Sequence, residues 1–230
     1  AMPFLFWAFS FLKERKTLLA SLFLVLALMA KENMATIAFA FGFYACIKKD
    51  KAFRFGIFWM LAAILYFYAV VHFFIPKLSG EPYFYLRGNF TPWLHAGWGP
   101  FTEHVFQPST FSYITKIYGP LAFSSIFAHA SFILTLPTLA QNILSRNEMT
   151  RSIFFQYTAT LTPFVFISSV MALAKMRSYR RYWAYLMLLT SVLMSGVSEV
   201  YPMRRQWITI TPHTAMVKKM LATLPSTASL

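Results

Sequence analysis

Three basic clusters divide an otherwise apolar chain, and they constrain its arrangement more than any other feature. They are Lys13-Glu14-Arg15-Lys16, then Lys48-Lys49-Asp50-Lys51 with Arg54, then Lys175, Arg177, Arg180 and Arg181. Long apolar stretches lie between them. Short loops rich in Lys and Arg stay on the cytoplasmic side of a membrane. Alternating apolar runs and basic connectors therefore read as a chain that threads a bilayer with its connectors inside. Of 230 residues, 58% are hydrophobic and 12% are charged, about half the charged share of a soluble domain. The net charge of +14 does not indicate nucleic acid, because the positive charge is bunched between apolar runs rather than spread over one soluble face. Membrane lipids with anionic headgroups are the simpler partner. Cys46 is the one cysteine. It lies in an apolar run and reads as a small buried hydrophobe. The chain opens straight into apolar residues and stops on Leu224-Pro225-Ser226-Thr227-Ala228-Ser229-Leu230, so both ends read as cuts in a longer protein.

Residues 3–12 look like the tail of a preceding span. Residues 17–30 and 34–47 are apolar runs separated by Lys31-Glu32-Asn33. One continuous helix would be about 46 Å long. It would bury a Lys and a Glu near mid-membrane and carry basic clusters at both ends, against the positive-inside bias and the cost of central charge. A hairpin is expected instead: two helices of about 21 Å each, too short for a hydrocarbon core of about 30 Å. They would turn at residues 31–33 near the outer interface. Residues 55–75 read as a full span ended by Pro76. Residues 76–109 read as a long outer loop, broken by Gly and Pro and rich in aromatics, that lies as a lid at the interface. Residues 110–144 allow one span over 119–140 or two short legs, 110–125 and 128–144, turning around Ser124, Ser125 and His129. The legs are preferred because they keep the third cluster inside; Pro137 would kink the second. After an outer loop over 145–156, residues 157–174 and 182–200 are two more spans.

The expected fold class is all-α: a polytopic transmembrane helical bundle with short broken or re-entrant helices and an outer aromatic loop. Residues 1–200 form the transmembrane domain. Residues 201–230 form an outer amphipathic helix, with Met216, Val217, Met220, Leu221 and Leu224 on one face, leading into a truncated extracytoplasmic domain.

This topology puts Glu32, Glu81, Glu103, Glu148 and Glu199 at the outer face, with Lys31, Lys77, Arg87, Lys116, Arg146, Arg151, Arg204 and Arg205. Carboxylates beside cations suit transfer from a phosphate leaving group. The carboxylate takes a proton from an attacking hydroxyl, and the cations hold the phosphate. Glu32, between two apolar runs and beside Lys31, is the candidate catalytic carboxylate, since an ionisable pair at membrane depth is functional by default. Arg87, Arg146 and Arg151 are candidate phosphate contacts. The five histidines show no paired metal-binding spacing, so no metal site is assigned. Asn89-Phe90-Thr91 matches a glycosylation sequon.

Four stretches carry a family resemblance: Leu136-Pro137-Thr138-Leu139, Asn142-Ile143-Leu144-Ser145, Gln156-Tyr157-Thr158-Ala159 and Pro163-Phe164-Val165-Phe166-Ile167. In order and spacing they resemble domain-of-unknown-function family 2079, a family of polytopic membrane proteins. Lys31-Glu32-Asn33 resembles its Lys-Glu-Asp element. Leu224-Pro225-Ser226-Thr227-Ala228-Ser229 resembles the stretch that introduces its outer C-terminal domain. Thr138 and Asn33 stand where the family usually has an acid. The family is grouped with the GT-C glycosyltransferases, multi-span enzymes whose catalytic acid usually lies in a first outer loop, which here would precede residue 1. The resemblance therefore implies a polyprenyl-phosphate-sugar donor and transfer at the outer face of a bacterial or archaeal cell membrane. It implies Lys31, Glu32, Gln156 and Tyr157 as site residues, the last two contacting donor or acceptor. Two rival readings stay open. One is a non-enzymatic integral subunit with membrane-protein partners. The other is a transporter built on broken helices, which the lack of an inverted repeat disfavours.

Overall fold

Where each apolar run meets charge, a helix ends. The computed structural model describes residues 2–48, 52–153, 156–176 and 178–197, with Met216. Its helices are α1 (Met2–Lys13), α2 (Thr17–Leu28), α3 (Met34–Ile47), α4 (Phe53–Ala69), α5 (Ile75–Ser79), α6 (Phe84–Asn89), α7 (Trp98–Val105), α8 (Pro108–Tyr118), α9 (Leu136–Leu144), α10 (Thr162–Lys175) and α11 (Arg180–Val197). No strand occurs among the described residues. The chain is all-helical.

The 31–33 break is a hairpin turn. Lys13, Arg15 and Lys48 line one cleft with Tyr44 and Ala52, so the first two basic clusters share an end of the bundle. Residues 31–33 lie at the other end of α2 and α3. α10 begins just after Tyr157, whose ring sits 5.3 Å from Lys31 Nζ. It then passes Phe41 through Phe164, with ring centroids 5.6 Å apart, and finishes on Lys175. The third cluster therefore follows the helix that runs toward the end holding the other two.

Lipid is as apolar as a buried leucine, so close packing rather than water exclusion holds such helices together. Small residues supply that closeness: Ala20, Ala27, Ala35, Ala38, Ala40 and Ala45 are all buried. Phe9 of α1 meets Tyr44 of α3 at 5.6 Å. Two polar bonds tie α4 to α2. Trp59 Nε1 donates to Ser21 Oγ at 3.0 Å, and Tyr66 OH donates to the Leu28 carbonyl at 2.8 Å.

Pro76 does not end the first full span. The helix runs unbroken over Phe53–Ser79, through a π-helical turn at Val70–Phe74. Proline lacks an N–H and clashes with the carbonyl four residues back; the wider π turn absorbs both defects. Gly80, at φ 75°, closes the helix in the left-handed cap that glycine favours.

The 110–144 region forms two antiparallel legs, not a single 119–140 span. Tyr113 pairs with Asn142, and Tyr118 meets Phe132 at 5.9 Å. The reversal begins at Ala122 and Phe123, both with positive φ, just before the expected Ser124 and Ser125. His129, at φ 48°, breaks the return leg again. A 3-10 run over Ser124–Thr135 packs along α10, and Pro137 stands where it changes into α9. α11 seals the turn, with Thr190 and Ser191 hydroxyls donating to the Pro120 carbonyl at 3.0 and 2.6 Å.

Two further expectations need adjusting. The outer loop over 76–109 is not irregular: it holds α6, a 3-10 turn at Thr91–Leu94, and α7. The span expected from residue 157 starts at Thr162, because Gln156–Thr158 form a separate 3-10 turn and Pro163 occupies the opening turn of α10. The expected amphipathic helix and outer domain over 201–230 lie outside the described residues, Met216 apart.

Candidate functional site

Glu32 sits in the turn that joins α2 to α3. The turn is held locally by Met34 N–H donating to the Lys31 carbonyl at 3.1 Å and Thr36 Oγ1 donating to the Asn33 carbonyl at 2.8 Å. Its carboxylate Oε1 accepts from Tyr83 OH at 2.6 Å, the length of a charge-assisted bond. Burial, then that bond to Glu32, push the Tyr83 phenol well above its ordinary range, so Tyr83 stays a donor. Burial raises Tyr85 as well, with Ser145 opposing and the Tyr157 and Glu32 charges adding to the rise. Lys31 stands over the Tyr157 ring, a cation–π contact worth about 0.5–2 kcal/mol. Lys31, Glu32 and Tyr157 thus meet around a cage of tyrosines.

An apolar groove leads to this turn. A cavity of ≈ 460 Å³ beside α3 and α4 is walled by Phe39, Ala63, Ile64 and Tyr68. A second of ≈ 250 Å³ is walled by Asn33, Tyr83, Tyr85 and Gln141. Thr36, Phe67 and Pro137 line both, so the two adjoin, and the second carries Tyr83, the hydrogen-bond partner of Glu32.

Arg151 lies on the short helical turn Glu148–Arg151. It is 7% exposed, and its Nε and Nη1 have no hydrogen-bond partner among the described residues. Burial lowers its pKa, with Glu148 pulling the other way. Orphaned buried donors cost about 1–3 kcal/mol. Arg151→Met, which keeps the stem and removes those donors, is therefore expected to raise the thermal midpoint by a few degrees; differential scanning fluorimetry in detergent checks it.

Arg146 is exposed and lies over the Trp93 ring at 5.7 Å. It shares a cleft of ≈ 440 Å³ with Trp93, Glu103, His104 and Gln107. His104 Nε2 is 3.1 Å from the carbonyls of both Ile143 and Ser145. Carbonyls only accept, so Nε2 carries the proton. Burial, then the Arg151 charge, hold the His104 pKa below its ordinary value. The unfolded chain then binds the proton more readily than the folded one. Stability is full above the ordinary histidine pKa and falls as pH drops below it toward the folded value. His104→Gln should flatten that acid limb, read as thermal midpoint against pH.

Arg87 is exposed on α6, and Gln156 is exposed at the start of its turn, where its carbonyl accepts from Ala159 N–H. Among the described residues no hydrogen bond or ion pair joins Arg87, Arg146, Arg151 or Gln156 to Glu32. The family-like stretches serve mainly as scaffold. Asn142 Nδ2 donates to Tyr113 OH at 2.7 Å and to the Tyr157 carbonyl at 3.2 Å. Thr138 and Thr160, both buried, share a hydroxyl bond of 3.2 Å. Asn89 of the sequon is 9% exposed; its amide donates to the Tyr85 carbonyl and its oxygen accepts from Ser145. Tyr83 and Tyr85 are the site residues that sequence reasoning passed over. The density of tyrosine in the outer loop was the available signal.

A family model described as "Predicted membrane protein (DUF2079)" matches residues 1–229. No curated protein and no solved structure matches the chain.

Proposed function

The chain belongs to that family of membrane proteins, and on that premise we propose a glycosyltransferase-like activity of the GT-C kind, using a polyprenyl-phosphate-sugar donor at the outer face. The observation that carries it is the pair of adjoining apolar cavities beside α3, α4 and α9, the second of which is lined by Asn33 and by Tyr83, the partner of the Glu32 carboxylate. A donor with a long hydrocarbon tail and a charged head needs that combination. The tail would lie along Phe39, Ala63 and Phe67. The head would reach the Lys31–Glu32–Tyr157 turn, where Lys31 offsets phosphate charge and Glu32 takes the acceptor's proton. Tyr83 holds the carboxylate in place. Arg151, whose Nε and Nη1 have no partner among the described residues, is the next cation for a phosphate, with Arg87 and Arg146 as further phosphate contacts and Gln156 for donor or acceptor.

The test is direct. The full-length natural protein, reconstituted in vesicles, is given a synthetic polyprenyl-phosphate sugar, and release of polyprenyl phosphate is measured. Release that depends on Glu32 supports the reading; none with a panel of sugars and acceptors overturns it. A non-enzymatic subunit is the second reading. It is favoured by Thr138, which is buried against Thr160 and cannot replace an acid. Stable co-purification with fixed membrane partners, unaffected by Glu32→Gln, would support it instead.

A further inference from the structure

At the end of the bundle opposite Glu32, three cations from two separate parts of the chain converge. Lys13 closes α1, Arg15 lies in the α1–α2 turn and Lys48 follows α3. Together with Leu12, Tyr44, Ala45 and Ala52 they line a cleft of ≈ 260 Å³. Arg15 sits at φ 63°, a left-handed conformation uncommon outside glycine and asparagine. Lys48 lies 5.8 Å from the Tyr44 ring. Glu14 pairs with Lys16 at 2.7 Å. Among the described residues that line the cleft, the rim is basic and the wall apolar, and α1 and α3 rise from it into the hydrophobic bundle.

We propose that this cleft is a binding site for one anionic phospholipid, with the phosphate held by Lys13, Arg15 and Lys48 and the glycerol and first acyl carbons against Leu12, Tyr44 and Ala45. Diffuse attraction to an anionic surface would need only net charge. A cleft lined by residues at the ends of α1 and α3 and walled on one side by side-chain carbon selects a ligand that is charged at one end and oily at the other. Basic pockets between membrane helices hold acidic headgroups by this logic. The proposal does not depend on glycosyl transfer and concerns the opposite face of the protein.

The full chain, purified in a mild detergent and stripped of lipid, is titrated with phosphatidylglycerol and, separately, with phosphatidylcholine, and bound lipid is counted by native mass spectrometry. One equivalent of phosphatidylglycerol is expected to bind well ahead of phosphatidylcholine. Each of Lys13→Gln, Arg15→Gln and Lys48→Gln should weaken it about fivefold. Lys48→Arg should retain it, and Lys175→Gln, outside the cleft, should not change it. These side chains are exposed, and circular dichroism confirms that the variants fold. Equal loss with Lys175→Gln means generic surface charge and overturns the site. Equal binding of both lipids overturns the headgroup preference. If inorganic phosphate alone binds as tightly as the lipid, the cleft is a free-phosphate site and the lipid assignment fails.

Discussion

Under the proposed glycosyltransferase reading, Glu32→Gln is expected to slow sugar transfer by about 10²–10⁴-fold, the range a positioned general base contributes, while leaving the folded protein intact. The separation of the two effects follows from the geometry. Tyr83 OH donates to Glu32 Oε1, and a glutamine presents an oxygen of the same reach in the same place. The hydrogen bond survives and the α2–α3 turn keeps its anchor in the outer loop. What disappears is the basic site that, in the proposed reaction, takes the acceptor's proton. Tyr83→Phe asks the complementary question. It leaves the carboxylate and frees it to rotate, so transfer should fall by about tenfold, with most of the loss in kcat rather than KM, as expected when a base is loosened but still present. Initial rates in reconstituted vesicles measure both, with a thermal melt as the control for folding. If Glu32→Gln transfers at the normal rate, the carboxylate is a structural partner of Tyr83 and the proposed chemistry has no base.

The hairpin was legible because its logic is electrostatic and local. Basic clusters at both ends of a 31-residue stretch (17–47) with a Lys-Glu pair at its centre leave a turn as the cheaper arrangement, and residues 31–33 do turn. The two-leg reading of 110–144 came from the same constraint acting at a distance, through the third cluster. What sequence could not show was pairing across long separations. Tyr83 and Glu32 are 51 residues apart, and nothing in either neighbourhood names the other. The two adjoining cavities share Thr36, Phe67 and Pro137, residues on three different elements. Pro76 misled for a physical reason: proline is a helix breaker only when the preceding turn is α, and here it is π. The glycines and prolines of the outer loop marked breaks correctly, but the short pieces between them still closed into helical turns. Arg151 was chosen for its sign, and its importance in the structure is its burial, which no local pattern around Glu148-Met149-Thr150-Arg151 announces.

Gly42→Val is expected to destabilise the bundle by about 3 kcal/mol, the upper end of what overpacking costs. α3 and α4 touch backbone to backbone at this level. A Cβ on Gly42 would lie 2.5 Å from the Gly56 carbonyl oxygen and 2.8 Å from Met60 N. A Cβ on Gly56 would meet the Gly42 carbonyl at 2.6 Å and Cys46 Sγ at 2.5 Å. Small residues at such a crossing let helices approach closely in lipid, where dispersion and not water exclusion binds them. The atoms in the way are mostly main chain, so no rotamer change relieves the clash and the helices must separate. Separation would strain the bonds that fix α4 to α2, Trp59 to Ser21 and Tyr66 to the Leu28 carbonyl, and would move the turn that carries Glu32. The proposed activity should therefore fall with stability in this variant, whereas Glu32→Gln separates the two. Gly99→Ala is the matched control, because its Cβ meets nothing within 4 Å and its φ is not positive; it should stay within about 0.5 kcal/mol of the parent. Denaturant titration in mixed micelles measures both. A Gly42→Val protein that unfolds at the parent's midpoint would mean that α3 and α4 do not meet here, and the groove they form toward Glu32 would lose its walls.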